Sequence, residues 1–482
     1  MTEPINFESL YSAEGFHQGG TLLLSELRSY LDTATQREGS ALQYRNPEEV
    51  LQFWTKWKAS VAHLSDSEKL LQFSKDLINQ TNHLQHPKYV GHQVSAPLPL
   101  ASLTTLLAGV SNNGSAVYEM GMAPTAMERI VTDHLCKAFE MGPNSRGFLT
   151  SGGTLANLTA LLAARKFTAS EPVWDTGMTR PLAILVSEQA HYCVDRAARI
   201  MGLGSEGIIT IEVNTDYTIK TEAIITAYQT AQNRGREVIA IVGSAPSTST
   251  GNFDDLVTLG AFAKSHNLWF HIDAAHGGPA IFSSKYKHLL KGSELADSII
   301  LDGHKMMLMP ALTTAVLFKN KRHAYENFNQ RAAYLLHDTH EEDWYNGAKK
   351  TFECTKTMMA LPWYVLLSVY GDRLFEHYID RQFDLARSFA SYLSAQNDFE
   401  LAAEVQSNIV CFRYLFDHSQ NKQSQGLRDY LLKNSDYYLV QTTLGGEHYL
   451  RISIMNPLTT LDDLKGLITE IRTVVAQQKH LV

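Results

Sequence analysis

Between Arg146 and about Lys319, short β-rich runs alternate with helical stretches, and no other feature of the chain restricts its fold as much. A strand passing to a parallel neighbour needs a crossover, usually a helix, and right-handed crossovers build an open sheet with helices on both faces. The runs Leu182 to Val186, Val238 to Val242, Leu268 to Ile272, Ser298 to Leu301 and Thr314 to Phe318 are nearly continuous apolar segments, as strands covered on both sides require. Glu222 to Asn233 and Leu256 to Ser265 read as crossover helices. The expected class is α/β with a large parallel sheet. Ligands of such sheets collect beyond the carboxyl ends of the strands, so the polar residues that follow each run are the first site candidates.

The flanks differ from this centre. Residues 1–95 read as a helical arm, with helical patterns at Gly20 to Tyr30 and Asp66 to Asn82. Residues 96–374 form the expected large domain, and residues 375–482 a smaller α+β domain with strands at Asn408 to Leu415 and Tyr449 to Ile454 and a last helix from about Thr460. A length of 482 residues exceeds what one core usually serves, and 44% hydrophobic with 19% charged residues is an ordinary globular balance.

A net charge of −8 without a basic stripe argues against a nucleic-acid partner. No stretch long enough to span a bilayer is free of polar residues, and the opening MTEPINFESL lacks the basic and apolar regions of a secretory signal. A cytoplasmic protein without a membrane partner is expected. Cys136, Cys193, Cys354 and Cys411 form no CxxC pair, so reduced thiols serving packing are expected, with no metal site.

Chemistry concentrates at the strand ends. SIILDGHK ends an apolar run in Asp302, Gly303, His304 and Lys305. A lysine aimed into a closed pocket sheds its proton more readily than a solvated one, and its amine can then condense with an aldehyde; the alternative is a surface lysine. NLWFHIDAAHGG ends a strand in Asp273, whose carboxylate can pair with a protonated pyridine nitrogen or cap the following turn. In FLTSGGTLANL, Ser151, Gly152, Gly153 and Thr154 precede a helix, where free amides and the helix dipole suit a phosphate; a plain Ser/Thr cap accounts for the same letters. His191 follows the strand ending near Val186 and can cover a planar ring or serve structure. Ser247 and Thr248, in APSTSTGNFDDL, can reach a ring oxygen. An anion site, a ring cover, hydroxyls, an acidic partner and a lysine, in that order at successive strand ends, are the fittings that hold pyridoxal 5′-phosphate (PLP).

These segments, with HPKYVGHQVSAPLPL, VYEMGMAPTAMER and YLRISIMNP, resemble the group II PLP-dependent amino acid decarboxylases, which include glutamate, aromatic amino acid and 2,4-diaminobutyrate decarboxylases. The resemblance covers most of the chain. It implies fold type I, the aspartate aminotransferase-like architecture, and a homodimer with active sites at the subunit interface. It assigns the Schiff-base linkage to Lys305, the pyridinium contact to Asp273, ring stacking to His191, and the phosphate turn to Gly153 and Thr154. It further implies that His304 supports the phosphate end, that Arg451 binds the substrate carboxylate, and that Tyr334, in AAYLLHDTH, protonates the substrate α-carbon. Two departures bear on the contacts: Asp302-Gly303 stands where Asn-Pro is common, and Pro246-Ser247-Thr248 where Gly-Thr-Thr is common.

The reaction so implied is loss of carbon dioxide from an L-amino acid, leaving an amine. Glutamate, aspartate or 2,4-diaminobutyrate are the expected substrates, on the strength of the ECTK segment around Cys354; an aromatic amino acid is the alternative. An oxidative aldehyde synthase on the same fold is a competing reading, against which Tyr334 argues, because the resembling synthases replace it. An inactive scaffold is the reading of another class, and retention of Lys305 and Asp273 argues against that.

Overall fold

The computed structural model describes residues 6–328, 344–416 and 420–477. It contains two compact units, Gln93–Arg413 and a second formed by Met1–His92 with Tyr414–Val482.

The unit Gln93–Arg413 is built on a seven-stranded sheet of β1 (Arg146–Thr150), β2 (Leu182–Ser187), β3 (Ile208–Ile211), β4 (Glu237–Ser244), β5 (Trp269–Asp273), β6 (Ser298–Asp302) and β7 (Thr314–Phe318), in the order β1-β7-β6-β5-β4-β2-β3. The pairs β2–β3, β2–β4, β4–β5 and β5–β6 are parallel. β7 corrects the all-parallel expectation, because it runs antiparallel to both β1 and β6. The connection 303–313 carries no helix, so the chain returns beside β6 in the opposite sense. β1 and β3 were not among the expected strands. β3 lies at the sheet edge with an exposed Thr210 and so lacks the continuous apolar run that marks its neighbours.

All residues of β2, β6 and β7 are buried, which is why these segments read as unbroken apolar runs. The expected crossovers form at Ile224–Asn233 and Leu256–His266. Asp255 caps the latter by accepting from the Val257 and Thr258 amides, and Asn267 ends it in the left-handed conformation. Helix Asp372–Ser394 buries Phe375, Ile379, Phe383, Ala386 and Phe389 at helical spacing. Two short strands, β8 (Phe399–Leu401) and β9 (Ile409–Tyr414), follow.

A buried ion pair ties helix Met122–Ala138 to the ECTK segment. Lys356 Nζ, on a side chain with no accessible surface, lies 2.7 Å from Glu128 Oε1, which also accepts the Leu149 amide at 3.2 Å. Removing one partner leaves the other charge stranded in low dielectric, at a cost of about 3–5 kcal/mol. Lys356→Met should therefore lower the urea midpoint markedly, and Glu128→Gln combined with Lys356→Met should recover much of it. An unchanged midpoint in the single variant would show the pair to be energetically idle.

In the other unit, helices Ala13–Thr35, Pro47–Ser60 and Asp66–Asn79 are capped by Ser12, Asn46 and Ser65, the last in a reciprocal box with Glu68. β10 (Val440–Leu444) pairs antiparallel with β11 (Glu447–Ser453). Gly445 and Gly446 both take positive φ, which the tight turn between them demands. The last helix, Leu461–Gln477, begins where the sequence placed it. Among the described residues no helix is long and apolar enough to cross a membrane.

Candidate active site

The carboxyl ends of the central strands open on a cleft of about 440 Å³ within the unit Gln93–Arg413. Its wall includes Ser151, Gly152, Gly153, Thr154, His191, Thr248, Asp273, His304 and Lys305, all candidates from the sequence. The feature that gathers them is the strand-end placement itself, since β1, β2, β4, β5 and β6 each deliver the residues that follow them to one side of the sheet.

One side of the cleft is suited to an anion. β1 ends at Thr150, and Gly152, at φ +98°, makes the turn into helix Gly153–Thr168. That helix has no side-chain cap, so its first amides and dipole remain available to an anionic group. Ser151 is engaged differently from its neighbours. Its amide and hydroxyl both donate to Glu353 Oε1, at 3.0 and 2.9 Å, and the same oxygen accepts the Thr150 hydroxyl at 2.7 Å. Sequence reading missed Glu353, although it opens the ECTK segment. That segment was read as a marker of substrate type; here Glu353 clamps the glycine turn and Lys356 pairs with Glu128, so both serve the scaffold.

Lys305 projects from the turn after β6, with Nζ 3.0 Å from Asp302 Oδ2. Asp302 is 1% exposed, and its other oxygen accepts the Thr314 hydroxyl. Burial alone would favour the neutral amine, but the Asp302 and Asp273 carboxylates outweigh it and hold the Lys305 ammonium above its ordinary pKa. Two neighbouring carboxylates thus offset the burial that on its own would favour loss of the proton. His304 Nε2 lies 3.7 Å from Asp302 Oδ2, and its Nδ1 is 3.1 Å from the Thr313 carbonyl. Gly153 presses on the same carboxylate, since a Cβ there would come within 3.1 Å of Asp302 Oδ2.

Asp273 stands at the end of β5. Its Oδ1 accepts the Ala275 amide at 3.2 Å, the turn-capping contact that the sequence allowed, while its Oδ2 accepts from Asn157 Nδ2 at 3.1 Å. The two sequence readings of this residue are therefore compatible. His191 is the cap of helix Tyr192–Ile200, its Nδ1 accepting the Cys193 amide at 3.3 Å, which sets the plane of the ring. Burial, with the Lys305 charge, lowers its pKa, so the imidazole is neutral near pH 7.

The remaining candidates divide. Thr248 lines the cleft, whereas the buried Ser247 hydroxyl lies 2.7 Å from Thr250 Oγ1 and closes the loop instead. Arg451 is 5% exposed and belongs to β11, in the other unit. Tyr334 lies outside the described residues. Of the cysteines, Cys136, Cys193 and Cys411 are buried as expected, while Cys354 is exposed and so does not serve packing.

With this geometry in place, comparison with known proteins identifies the class. The pyridoxal-dependent decarboxylase conserved domain matches residues 54–415, and the chain belongs to that family of PLP-dependent carboxy-lyases. It is similar to an aspartate 1-decarboxylase of Aliivibrio fischeri, 27% identical with 84% of this chain and 82% of the relative covered. It is also similar to an L-2,4-diaminobutyrate decarboxylase of Acinetobacter baumannii, 25% identical with 95% and 88% covered. A solved structure of Oryza sativa TDC with PLP and tryptamine superposes with a TM-score of 0.86 at 18% identity, covering 99% of this chain and 100% of that one, and shares the fold. Fold type I is thereby established, with the one reversed strand noted above.

The cleft fits PLP on its own chemistry. An uncapped helix start suits the phosphate, the Lys305 side chain and the Asp273 carboxylate stand on the same wall, and the His191 imidazole borders it.

Proposed function

We propose that this cleft decarboxylates a small L-amino acid bearing a second charged group, namely glutamate, aspartate or 2,4-diaminobutyrate, and releases the corresponding amine. The observation that carries the reading is the convergence of Lys305 and Asp273 on one cleft beside an uncapped helix start. Bound there, PLP supplies an electron-accepting ring that stabilises the charge left on the substrate α-carbon when carbon dioxide departs.

The chain's own groups do the rest. Lys305 would hold the cofactor covalently, and Asp302, 3.0 Å from its Nζ, would be the ion partner of the lysine whenever it is free and protonated. Asp273 keeps the ring nitrogen protonated through its anionic charge. His191 covers one face of the ring. Gly152, Gly153 and Thr154 take the phosphate, with Ser151 held beside them by Glu353 and with His304 at the same end. Thr248 reaches the ring oxygen. The family resemblance supports Arg451 as the ligand of the substrate carboxylate.

The substrate class rests on the aspartate and diaminobutyrate decarboxylases among the relatives. A panel of L-amino acids assayed for carbon dioxide and amine tests it. Turnover confined to aromatic substrates would reject the class while leaving the reaction in place.

The family resemblance also supports Tyr334 as the donor that returns a proton to the α-carbon. If its phenol does so, Tyr334→Phe keeps the ring but removes the proton. Oxygen then intercepts the electron-rich carbon, so under air the variant should make less amine and more aldehyde, ammonia and peroxide. An undiminished ratio of amine to carbon dioxide would assign the proton to another group.

A homodimer is part of the proposal. Phe7, Tyr11 and Leu51 are 69%, 87% and 69% exposed in the N-terminal segment, apolar side chains that a second subunit would cover. Sedimentation at assay concentration should give a dimer, and a fully active monomer would overturn this. The four free thiols support a reducing, cytoplasmic setting.

A further inference from the structure

Behind the cleft, a line of buried polar side chains leads to Asp273, and the donor or acceptor identity of each group sets its direction. Trp269 Nε1, which can only donate, gives its hydrogen to Ser298 Oγ at 2.8 Å. Ser298 Oγ lies 2.8 Å from His271 Nδ1, His271 Nε2 lies 2.8 Å from Asn157 Oδ1, and Asn157 Nδ2 lies 3.1 Å from Asp273 Oδ2. Asn157, His271 and Ser298 are 1% exposed or less, and Trp269 is 3% exposed.

Only one arrangement satisfies every group. An ionised Asp273 accepts and cannot donate, so Asn157 must turn its Nδ2 toward it and leave Oδ1 facing His271. That oxygen needs a hydrogen, so His271 carries one on Nε2 and leaves Nδ1 to accept from the Ser298 hydroxyl. Reversing the histidine tautomer would set two acceptors face to face, or flip Asn157 and place its oxygen against the carboxylate. Full burial pushes the His271 pKa down to about 4, so a second proton does not relax the constraint near pH 7. Asn157 also donates toward the Gly153 carbonyl at 3.0 Å, which ties the line to the first turn of the uncapped helix.

We propose that Asn157 and His271 are positioning residues forming a neutral hydrogen-bond relay, which presents one fixed amide hydrogen to Asp273 and keeps that carboxylate ionised and aimed. The inference rests on the role given above to Asp273 as partner of the ring nitrogen. The amide adds no charge that would compete with the ring for the carboxylate. Hydrogen bonds aligned in one direction polarise each other in a low-dielectric interior, so removing a distant member weakens the last bond. Neither residue touches the reacting atoms, and both act through Asp273.

The test uses the holoenzyme and the variants Asn157→Ala, His271→Leu and His271→Gln. A hydrogen bond to a charged group is worth about 10- to 100-fold in an equilibrium. Asn157→Ala and His271→Leu should therefore lower kcat by about that factor, with KM changed by less than about threefold. A second readout is independent of turnover. With the Asp273 carboxylate less well held, the bound ring nitrogen gives up its proton more easily, so the pH midpoint of that nitrogen, followed by 15N NMR of ring-labelled PLP, should fall by about one unit. His271→Gln, whose amide can donate to Asn157 Oδ1, should recover most of both losses relative to His271→Leu. Variants with an unmoved midpoint, and only a lower melting temperature, would show the line to be structural and overturn the proposal. Failure of borohydride to fix the cofactor on Lys305 of the parent enzyme would instead reject the reading of the cleft itself.

Discussion

Lys305→Ala is expected to abolish turnover and to leave PLP bound without a covalent link. A tethered amine reacts as an intramolecular group, and effective molarities for such groups reach about 10⁵ M, so added free amines should restore only a small part of the rate. The structure adds a necessary control. Asp302 is 1% exposed and its cation is Lys305 at 3.0 Å, so the single variant strands a buried carboxylate. Asp302→Asn combined with Lys305→Ala removes that charge and should fold at least as well as the single variant while remaining inactive. Activity in either variant, measured as carbon dioxide release with saturating PLP, would show that another residue carries the cofactor.

Asp273→Asn is expected to cost on the order of 10²–10³ in kcat, the range seen when one preorganised electrostatic contact is removed from a buried site. The amide oxygen can still accept the Ala275 hydrogen that the carboxylate accepts at 3.2 Å, so the turn should survive. The other position becomes an NH2 group facing the Asn157 NH2, and two donors cannot satisfy each other. The anionic charge is lost at the same time, and with it the force that keeps the ring nitrogen protonated. A small change in melting temperature with a large change in kcat is the expected pattern. Near wild-type turnover in a PLP-loaded Asp273→Asn protein would show that the ring needs no anionic partner.

The parts of the fold that were legible in the sequence are those dictated by local pattern. β2, β6 and β7 are buried throughout, and a strand buried on both faces has to read as an unbroken apolar run. The strand-end residues Asp273 and Lys305 were legible for the same reason, because the run shows where each strand stops. What stayed hidden depends on partners remote in sequence. Asn157 gains its meaning from a carboxylate 116 positions away, and Glu353 from an amide and two hydroxyls more than 200 positions away. Nothing near either residue marks it, beyond a polar side chain inside the helix that begins at Gly153 and an acidic residue in ECTK. The reversal of β7 is likewise a property of the short return after Lys305 and not of its composition. The pull of Asp273 on the Lys305 ammonium is hidden in the same way, because that carboxylate ends a different strand.

The most direct test of the account is to reduce the PLP-loaded protein with borohydride, digest it and locate the pyridoxyl group by peptide mapping. The account predicts a single label on Lys305, in the peptide that contains DGHK, and loss of that label in Lys305→Ala. A label on any other lysine, or none on a protein that still decarboxylates, would contradict it.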